Sequence, residues 1–179
     1  MSPRPRLLLM RGLPSCGKST RARELAGDAG VVFEFDSYFV GSDGVFRWRP
    51  HLRPKVRRAL LAEMRKAADA RTPVIVMDDD NGTGTTTRAA VLYCLSRGYT
   101  VKFEEPQTPW WREIRKLLVH RRRNSRALLR WAQKLSLLNR GTHGVSAREI
   151  ARRMGKWPLH LTVKDICLGR VQRRNRTAA

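Results

Sequence analysis

The segment that most constrains the fold is residues 12–19 (GLPSCGKS), which fits the pattern G-x-x-x-x-G-K-[ST] at every fixed position. It follows an apolar run at residues 6–11, typical of a buried parallel strand, and it opens a helix predicted over residues 17–26. In that context, backbone N–H groups and the helix dipole both point at bound phosphate. The motif therefore predicts a phosphate-binding loop between the first strand and the first helix of an α/β domain.

Two side chains of this loop have a defined chemistry when the ligand is a nucleoside triphosphate. Lys18 would reach the β and γ phosphates, and the hydroxyl of Ser19 would bind Mg²⁺. The residues predicted to bind the nucleotide are Gly12, Leu13, Pro14, Ser15, Cys16, Gly17, Lys18, Ser19 and Thr20. A chance match at an ordinary helix start is the alternative, and the flanking strand and helix argue against it.

The rest of the chain alternates between strand-like and helix-like patterns. Further strands are predicted at residues 31–35, 73–77 and 99–103. Further helices are predicted where apolar side chains recur every four residues from Leu52 to Met64, and over residues 87–97. Such alternation predicts a parallel sheet covered by helices.

The second half of the chain is basic and mostly helical. Leucines at helical spacing predict helix over residues 111–138, with a break near Asn124, and Ser146 and Glu149 have the S-x-x-E spacing of a capping box. The predicted division is one domain over residues 1–158, a helical lid at about residues 109–145 within it, and a basic C-terminal extension at residues 159–179.

The net charge restricts the class of partner. The 179 residues include 37 Lys and Arg against 15 Asp and Glu, which gives a formal charge of +22. The excess is concentrated in residues 47–71, 112–140 and 141–179, while the remainder is nearly neutral. Basic side chains grouped on selected surfaces favour a polyanionic partner, nucleic acid above all. A merely solvated surface is the alternative, although self-repulsion at so large a charge opposes a compact fold.

Other classes of protein fit poorly. No apolar run approaches the roughly 20 residues that cross a bilayer, so a membrane partner is not expected. The odd number and wide separation of Cys16, Cys94 and Cys167 are typical of a reduced, cytoplasmic protein rather than a disulfide scaffold. A GTPase would need a guanine-reading N-K-x-D segment, and the nearest string, residues 162–165 (TVKD), has the wrong spacing.

Acidic residues follow two of the predicted strands, where ligands bind in open α/β sheets. Asp36 follows the strand at residues 31–35 and could accept the proton of an attacking hydroxyl, with a helix cap as the alternative role. The strand at residues 73–77 runs into three aspartates and Asn81. Asp78 is the best candidate there for contact with Mg²⁺ or with an acceptor, and the alternative is an acidic loop neutralised by arginines.

Six short segments occur in the order seen in small P-loop kinases. They are residues 11–20 (RGLPSCGKST), 35–39 (FDSYF), 43–44 (DG), 73–81 (PVIVMDDDN), 105–111 (EPQTPWW) and 142–146 (THGVS). Over roughly residues 6–157 the chain resembles the P-loop domain of Nedd-four-binding protein two and its bacterial relatives. It resembles bacteriophage 5′-polynucleotide kinase more distantly.

This resemblance implies a P-loop NTPase-type α/β kinase with a basic helical lid, using ATP (or another nucleoside triphosphate) and Mg²⁺. The implied reaction transfers the γ-phosphate to a 5′-hydroxyl end of DNA or RNA. The implied catalytic residues are Lys18, the general base Asp36 and the lid arginine Arg140. Asp78 and Asn81 match the ends of an acceptor-binding segment. Apart from the resemblance, the net charge leads us to expect that the basic run Arg121, Arg122 and Arg123 neutralises acceptor phosphates, with a solvated helix face as the alternative.

The chain also departs from that family. Ser15 stands where glycine is usual, Ser37 follows Asp36 where a second acid is usual, and Asp79 and Asp80 replace Asn and Thr. About 18 extra residues precede the THGV segment, and Arg123 is a second candidate for the lid arginine. Two alternatives therefore stay open: a zeta-toxin-like or antibiotic kinase of a small-molecule hydroxyl, and a nucleotide-regulated nucleic-acid-binding module with little catalysis. The charge argues against the first alternative, and intact Lys18, Ser19 and Asp36 argue against the second.

Overall fold

The computed structural model describes residues 4–79, 85–140 and 142–170, and this part of the chain is built on a sheet of four strands. The strands are β1 (Arg6–Met10), β2 (Gly30–Glu34), β3 (Val74–Asp78) and β4 (Thr100–Glu104). Their order across the sheet is β2-β3-β1-β4, and every neighbouring pair is parallel. The predicted α/β class is therefore confirmed, and each predicted strand lies within one residue of its observed bounds.

Helices flank the sheet. Those in the described residues are α1 (Lys18–Ala26), α2 (Arg53–Asp69), α3 (Thr85–Ser96), α4 (Pro109–Val119), α5 (Ser125–Leu138), α6 (Ala147–Gly155) and α7 (Val163–Cys167). Short 3-10 turns lie at Asp36–Phe39 and Pro50–Leu52. In the same residues, no helix has both the length and the apolar composition that a bilayer span requires.

Successive side chains of strand β1 point to opposite faces of the sheet, and helices cover both faces, so the strand is buried on each side. Leu7 and Leu9 pack against side chains of α2, α3 and α7. Leu8 and Met10 pack with α1 on the other face. The phosphate loop thus begins at the end of a strand that is fixed from both sides.

The basic stretch predicted at residues 111–138 is two helices, and the predicted break near Asn124 is confirmed. Helix α4 ends at Val119 and α5 begins at Ser125. The side-chain amide Nδ2 of Asn124 donates to the carbonyl of Leu117 at 3.0 Å. This bond satisfies a carbonyl of the last turn of α4, which would otherwise lack a partner within its helix.

Helices α4, α5 and α6 pack around a second hydrophobic core, separate from the cores on the two faces of the sheet. Residues of the phosphate loop are part of this second core. Trp111 of α4 is 1% exposed, and Leu13 and Cys16 of the loop are buried in the same cluster. Burial raises the pKa of the Cys16 thiol to about 12. Cys16 is therefore a protonated packing residue that ties the loop to the core of α4, α5 and α6.

The sequence did not predict helix α7, which lies within the segment assigned to a C-terminal extension. The string 162–165 forms a capping box, in which Thr162 and Asp165 satisfy each other's backbone N–H groups at the helix start. Ile166 is 3% exposed and packs in the core with α3. The described part of this segment therefore contributes to the core, while residues 171–179 lie outside the described residues.

Candidate active site

The phosphate loop has two residues in the left-handed backbone region. Ser15 has φ 60° and Gly17 has φ 87°. A Cβ at Gly17 would approach the Thr108 methyl group to 2.9 Å, so this position requires glycine for space as well as for conformation. Ser15 adopts the left-handed conformation although it has a side chain, which costs conformational energy of order 1 kcal/mol. The family that this chain resembles usually has glycine at this position.

The start of α4 holds this loop in place. The Thr108 hydroxyl donates to the carbonyl of Cys16 at 3.0 Å, and the Trp110 indole Nε1 donates to the carbonyl of Ser15 at 3.2 Å. The same Thr108 oxygen accepts from the backbone N–H of Trp111 and caps the helix. The loop is therefore shaped by protein contacts before any phosphate binds.

A single cleft brings the predicted nucleotide and acceptor residues together. It has a volume of about 1520 Å³ and is lined by the phosphate loop, by Asp36 and by Asp78. The ammonium Nζ of Lys18 donates to the Leu13 carbonyl at 3.2 Å, within the loop that would receive the phosphates. Lys18, Ser19, Asp36 and Asp78, which the sequence pointed to separately, therefore share one cavity.

The carboxyl ends of β2 and β3 supply an acidic edge to this cleft. Glu34 and Asp78 are direct neighbours in the strand register, and Asp36 begins the next turn. Burial raises the pKa of Glu34, and the charges of Asp78 and Asp36 raise it further. Sequence reasoning missed Glu34, although it is the last residue of β2 and lies two positions before Asp36.

Asp78 fits a site for a divalent cation. It is 5% exposed, and neither carboxylate oxygen has a hydrogen-bond partner in the described part of the chain. A buried carboxylate without partners is costly, and a cation offsets that cost. The described residues contain no cluster of three or more His, Cys, Asp or Glu able to hold a metal. Mg²⁺ would therefore be held by Asp78, Ser19 and the nucleotide phosphates together. Proteins commonly bind Mg²⁺ through one or two side chains and the phosphates of a substrate.

Asp79 also lines the cleft. The next two positions of the acidic segment, Asp80 and the predicted acceptor contact Asn81, lie outside the described residues.

A histidine between α5 and α6 lies next to Asp36. The His143 ring nitrogen Nδ1 is 3.7 Å from the Asp36 carboxylate oxygen Oδ2. The buried side chain of Asn139 organises this turn, because its Nδ2 donates to the Leu135 carbonyl at 2.8 Å and its Oδ1 accepts from Val145 N at 2.6 Å. Sequence reasoning did not pair His143 with Asp36, and only the fold brings the two side chains together.

The arginines predicted to bind the acceptor or to act in catalysis do not line the cleft. Arg121 donates from Nη1 to the carbonyls of Gly155 and Trp157, at 2.8 and 3.0 Å, so its guanidinium holds the end of α6. Arg122, Arg123 and Arg140 are exposed and are not among the residues that line the cleft. An acceptor role for the three-arginine run and a catalytic role for Arg140 stay predictions. The basic side chains that do line the cleft, beyond the phosphate loop, are Arg11, Arg53, Arg57, Lys134, Arg152, Arg153 and Lys156.

Buried Arg11 supports the wall of the cleft. It is 5% exposed, donates to the Pro158 carbonyl at 2.5 Å, and lies over the rings of Phe103 and Trp157 at 5.0 and 5.1 Å. Burial lowers the pKa of Arg11, and the nearby Glu105 carboxylate opposes that shift. Arg11 thus joins β1 to the segment after α6.

Comparisons with known proteins agree with this fold. Human NEDD4-binding protein 2 is 26% identical over 162 residues, an alignment that covers 89% of this chain and 8% of that protein. A chain in the structure of the Pnkp1/Rnl/Hen1 RNA repair complex superposes with a TM-score of 0.58 at 18% identity, covering 92% of this chain and 47% of that one. No protein-family profile matches. The chain is thus similar in sequence to a small part of NEDD4-binding protein 2, and it has a P-loop NTPase-like fold similar to that of a chain in an RNA repair complex.

Proposed function

We propose that this chain is a kinase that uses ATP and Mg²⁺ to phosphorylate the 5′-hydroxyl end of a polynucleotide. The observation that carries the proposal is that Lys18 of the phosphate loop, Asp36 after β2 and Asp78 at the end of β3 line one cleft. A donor site alone would serve any nucleotide-binding protein. A carboxylate beside the donor site is what transfer to a hydroxyl requires.

The donor would bind along the phosphate loop. Loop N–H groups and the N-terminus of α1 would contact the β and γ phosphates, and Lys18 would exchange its bond to the Leu13 carbonyl for phosphate oxygen. Ser19 and Asp78 would hold Mg²⁺, which neutralises charge on the phosphates when bound. A lid arginine would stabilise charge on the transferring group. Arg140 is the choice from sequence, and Arg152 and Arg153 are the arginines of α6 that line the cleft.

The acceptor would approach from the side of Asp36. The Asp36 carboxylate accepts the proton of the 5′-hydroxyl as the oxygen forms a bond to the γ-phosphorus. The bond between that phosphorus and the bridging oxygen breaks, and ADP leaves with the electron pair. Asp36 suits this role because 44% of its side-chain surface is exposed, so a substrate hydroxyl can reach it.

Two observations favour a polynucleotide over a small acceptor. The charge of +22 far exceeds what a single small anion needs. The structurally similar chain belongs to an RNA repair complex. A small-molecule hydroxyl would explain the cleft equally well and would leave the extended basic surfaces without a role.

The experiment is a γ-phosphate transfer assay from labelled ATP, with Mg²⁺ or EDTA. It compares 5′-hydroxyl DNA, 5′-hydroxyl RNA, the same strands carrying a 5′-phosphate, and no acceptor. We expect label only on 5′-hydroxyl strands, only with Mg²⁺, and none with Lys18→Ala, because that side chain binds the donor phosphates. Oligonucleotide binding without transfer would indicate a binding module. Transfer absent from all strands but present with small alcohols would indicate a small-molecule kinase.

A further inference from the structure

Trp48 is an exposed tryptophan inside the cleft. It is 47% exposed, whereas Trp111 is 1% exposed, and it lines the same cavity as Lys18 and Asp36. A single exposed apolar side chain is ordinary on a protein surface. An exposed indole that lines the same cleft as the proposed base Asp36 offers a contact surface to a flat ligand.

Buried aromatic rings support the indole from behind. The Trp48 ring centroid lies 4.7 Å from that of Phe39, which is 4% exposed, and 6.4 Å from that of Phe35. The Phe46 ring lies at 6.5 Å and is within 19° of parallel to the indole. Such packing restricts the orientation of Trp48. A ligand that stacks on the indole therefore costs little further side-chain entropy.

The loop that carries Trp48 is also fixed without a ligand. Val40 and Phe46 form an antiparallel bridge, and the carboxylate of Asp43 pairs with the guanidinium of Arg47 through contacts of 2.9 and 2.6 Å. The backbone N–H of Val45 donates to the same carboxylate. These contacts therefore fix the chain immediately before Trp48.

One arginine lies over the indole, and a second lies over its aromatic neighbour Phe35. The Arg53 guanidinium lies 5.6 Å from the centroid of the Trp48 ring, and Arg57 lies 5.5 Å from the centroid of Phe35. Both arginines line the cleft, and the buried Nε of Arg57 has no hydrogen-bond partner among the described residues. An aromatic face with guanidinium groups beside it suits a ligand that combines a flat ring with phosphate, because the ring stacks while the cations pair with the anion.

We propose that Trp48 is the stacking surface for the terminal nucleobase of the acceptor strand. Arg53 would move outward to cover the other face of the base, and Arg57 would pair with the adjoining phosphate. The proposal rests on the proposed function and deepens it: the acceptor end is recognised through its base as well as its hydroxyl. Because the turn that begins at Asp36 also carries Phe39, which supports Trp48, one nucleotide would place its hydroxyl at Asp36 and its base on the indole.

The test compares four combinations, in which the indole is present or removed from the protein and the first base is present or removed from the strand. The probes are short single strands with a 5′-hydroxyl and a 3′ fluorophore, made with a normal first nucleotide or with an abasic tetrahydrofuran residue there, in DNA and RNA form. Dissociation constants are measured by fluorescence anisotropy without ATP, for the wild type, Trp48→Ala and Trp48→Phe. We expect the wild type to prefer the normal strand by about 5- to 150-fold, the range that stacking of one base supports. That preference should disappear in Trp48→Ala and partly return in Trp48→Phe.

Trp131 offers a matched control within the same cleft. Its ring also contacts a cation, with the Lys134 ammonium 4.8 Å from the centroid, and it lines the cavity from α5. Trp131→Ala should change binding of the two strands by the same factor, because no base is proposed to stack there. Unchanged affinity for ATP in each variant checks that the phosphate loop is intact. If Trp48→Ala does not fold, the wild-type preference and its reduction in Trp48→Phe carry the test.

Three results would overturn the stacking proposal: no wild-type preference for the normal strand, equal losses for both strands in Trp48→Ala, or loss of the preference in Trp131→Ala instead. The stacking proposal and the proposed function can fail separately. Phosphate transfer with equal KM for normal and abasic strands would reject the stacking surface and keep the kinase. Base-dependent binding without transfer to any strand would reject the kinase and keep the stacking surface.

Discussion

At the scale of single residues, the two aspartates of the cleft differ in their surroundings. Asp78 is 5% exposed and has carboxylate oxygens without hydrogen-bond partners in the described part of the chain, whereas the Asp36 side chain is 44% exposed and faces His143. A buried carboxylate suits a cation, and an accessible one can meet a hydroxyl. Substitutions at the two positions should therefore affect different steps.

Asp36→Asn keeps the size of the side chain and removes the base. We expect the rate of phosphate transfer to fall by about 10²- to 10⁴-fold, the usual contribution of a positioned acid or base, while the Kd for ATP changes little. Single-turnover transfer and equilibrium ATP binding measure the two quantities. Asp28→Asn is the control, because this exposed acid precedes β2 and lies at the opposite end of the strand. Loss of ATP binding in Asp36→Asn would instead give Asp36 a role in the nucleotide site.

Residue-scale prediction was possible where the chemistry is local in sequence. Lys18 and Ser19 belong to one motif, and Asp36 was found because it follows a recognisable strand. His143 reaches Asp36 across more than a hundred positions, through a turn organised by Asn139, and no local pattern encodes that approach. Arg121 was expected to neutralise acceptor phosphates, and it donates to carbonyls at the end of α6 because α4, α5 and α6 pack on one another.

At the scale of elements, the start of α4 is coupled to the phosphate loop. The Thr108 side chain caps the helix and binds the Cys16 carbonyl at the same time. The stability of one helix end and the shape of the nucleotide site therefore depend on one hydroxyl.

Thr108→Val removes that hydroxyl at nearly constant volume. Loss of an N-cap costs about 0.5–2 kcal/mol, and each kcal/mol corresponds to about 2–4 °C in Tm for a chain of this size. We also expect the Kd for ATP to rise by about 2- to 12-fold, because a hydrogen bond that shapes the loop is lost. Thr162→Val is the matched control, since it removes the cap of α7, which packs against α3 and β4. It should lower Tm and leave ATP affinity unchanged, and equal effects on ATP binding would contradict the coupling.

The first turn of helix α6 carries a carboxylate, Glu149, whose protonation should change the stability of the fold. Hydrogen bonds and charge from Arg152 and Arg153 lower the pKa of Glu149 from 4.5 to about 2. A lowered pKa in the folded state means that ionised Glu149 stabilises the fold above about pH 4.5 and that this contribution is lost as the pH falls towards about 2. Glu149→Gln should therefore lower Tm at pH 7, and the difference from wild type should shrink over that window.

The control for Glu149→Gln is Glu24→Gln, which breaks another ion pair at i,i+3 spacing, with Arg21. The Glu24 side chain is 56% exposed, so its removal should change Tm little at any pH. Melting curves of both variants at pH 7, 4.5 and 3 test the prediction. A Tm difference for Glu149→Gln that does not depend on pH would contradict it.

At the scale of the whole molecule, the charge of +22 implies binding that depends on salt. Log affinity for a single-stranded 5′-hydroxyl oligonucleotide should fall linearly with log salt, by about 0.7 per phosphate neutralised, and we expect a slope steeper than about −2. Replacing Arg122 and Arg123 together with Gln should flatten the slope and leave ATP affinity unchanged, since these side chains are exposed outside the cleft. Titrations of binding from low to high salt measure both quantities.

The matched control for the salt experiment is the pair Arg4→Gln and Arg6→Gln. These residues are exposed at the start of β1, opposite the end that leads into the phosphate loop, and the change in charge is the same. The slope should then stay as in the wild type. A flat salt response in the wild type, or equal flattening by both pairs, would favour a small-molecule acceptor and make the charge a property of the whole surface.

The α/β class, the four strands and the loop before α1 could be predicted from the sequence, because each depends on residues that are close together in the chain. Apolar runs of four residues form strands buried on both faces, and the G-x-x-x-x-G-K-S pattern predicts a loop before a helix. Which side chains meet across the cleft depends on the tertiary structure. Glu34 beside Asp78, His143 beside Asp36 and Thr108 beneath the phosphate loop are juxtapositions between distant segments. Such contacts arise from helix packing and strand order, which single residues and short motifs do not encode.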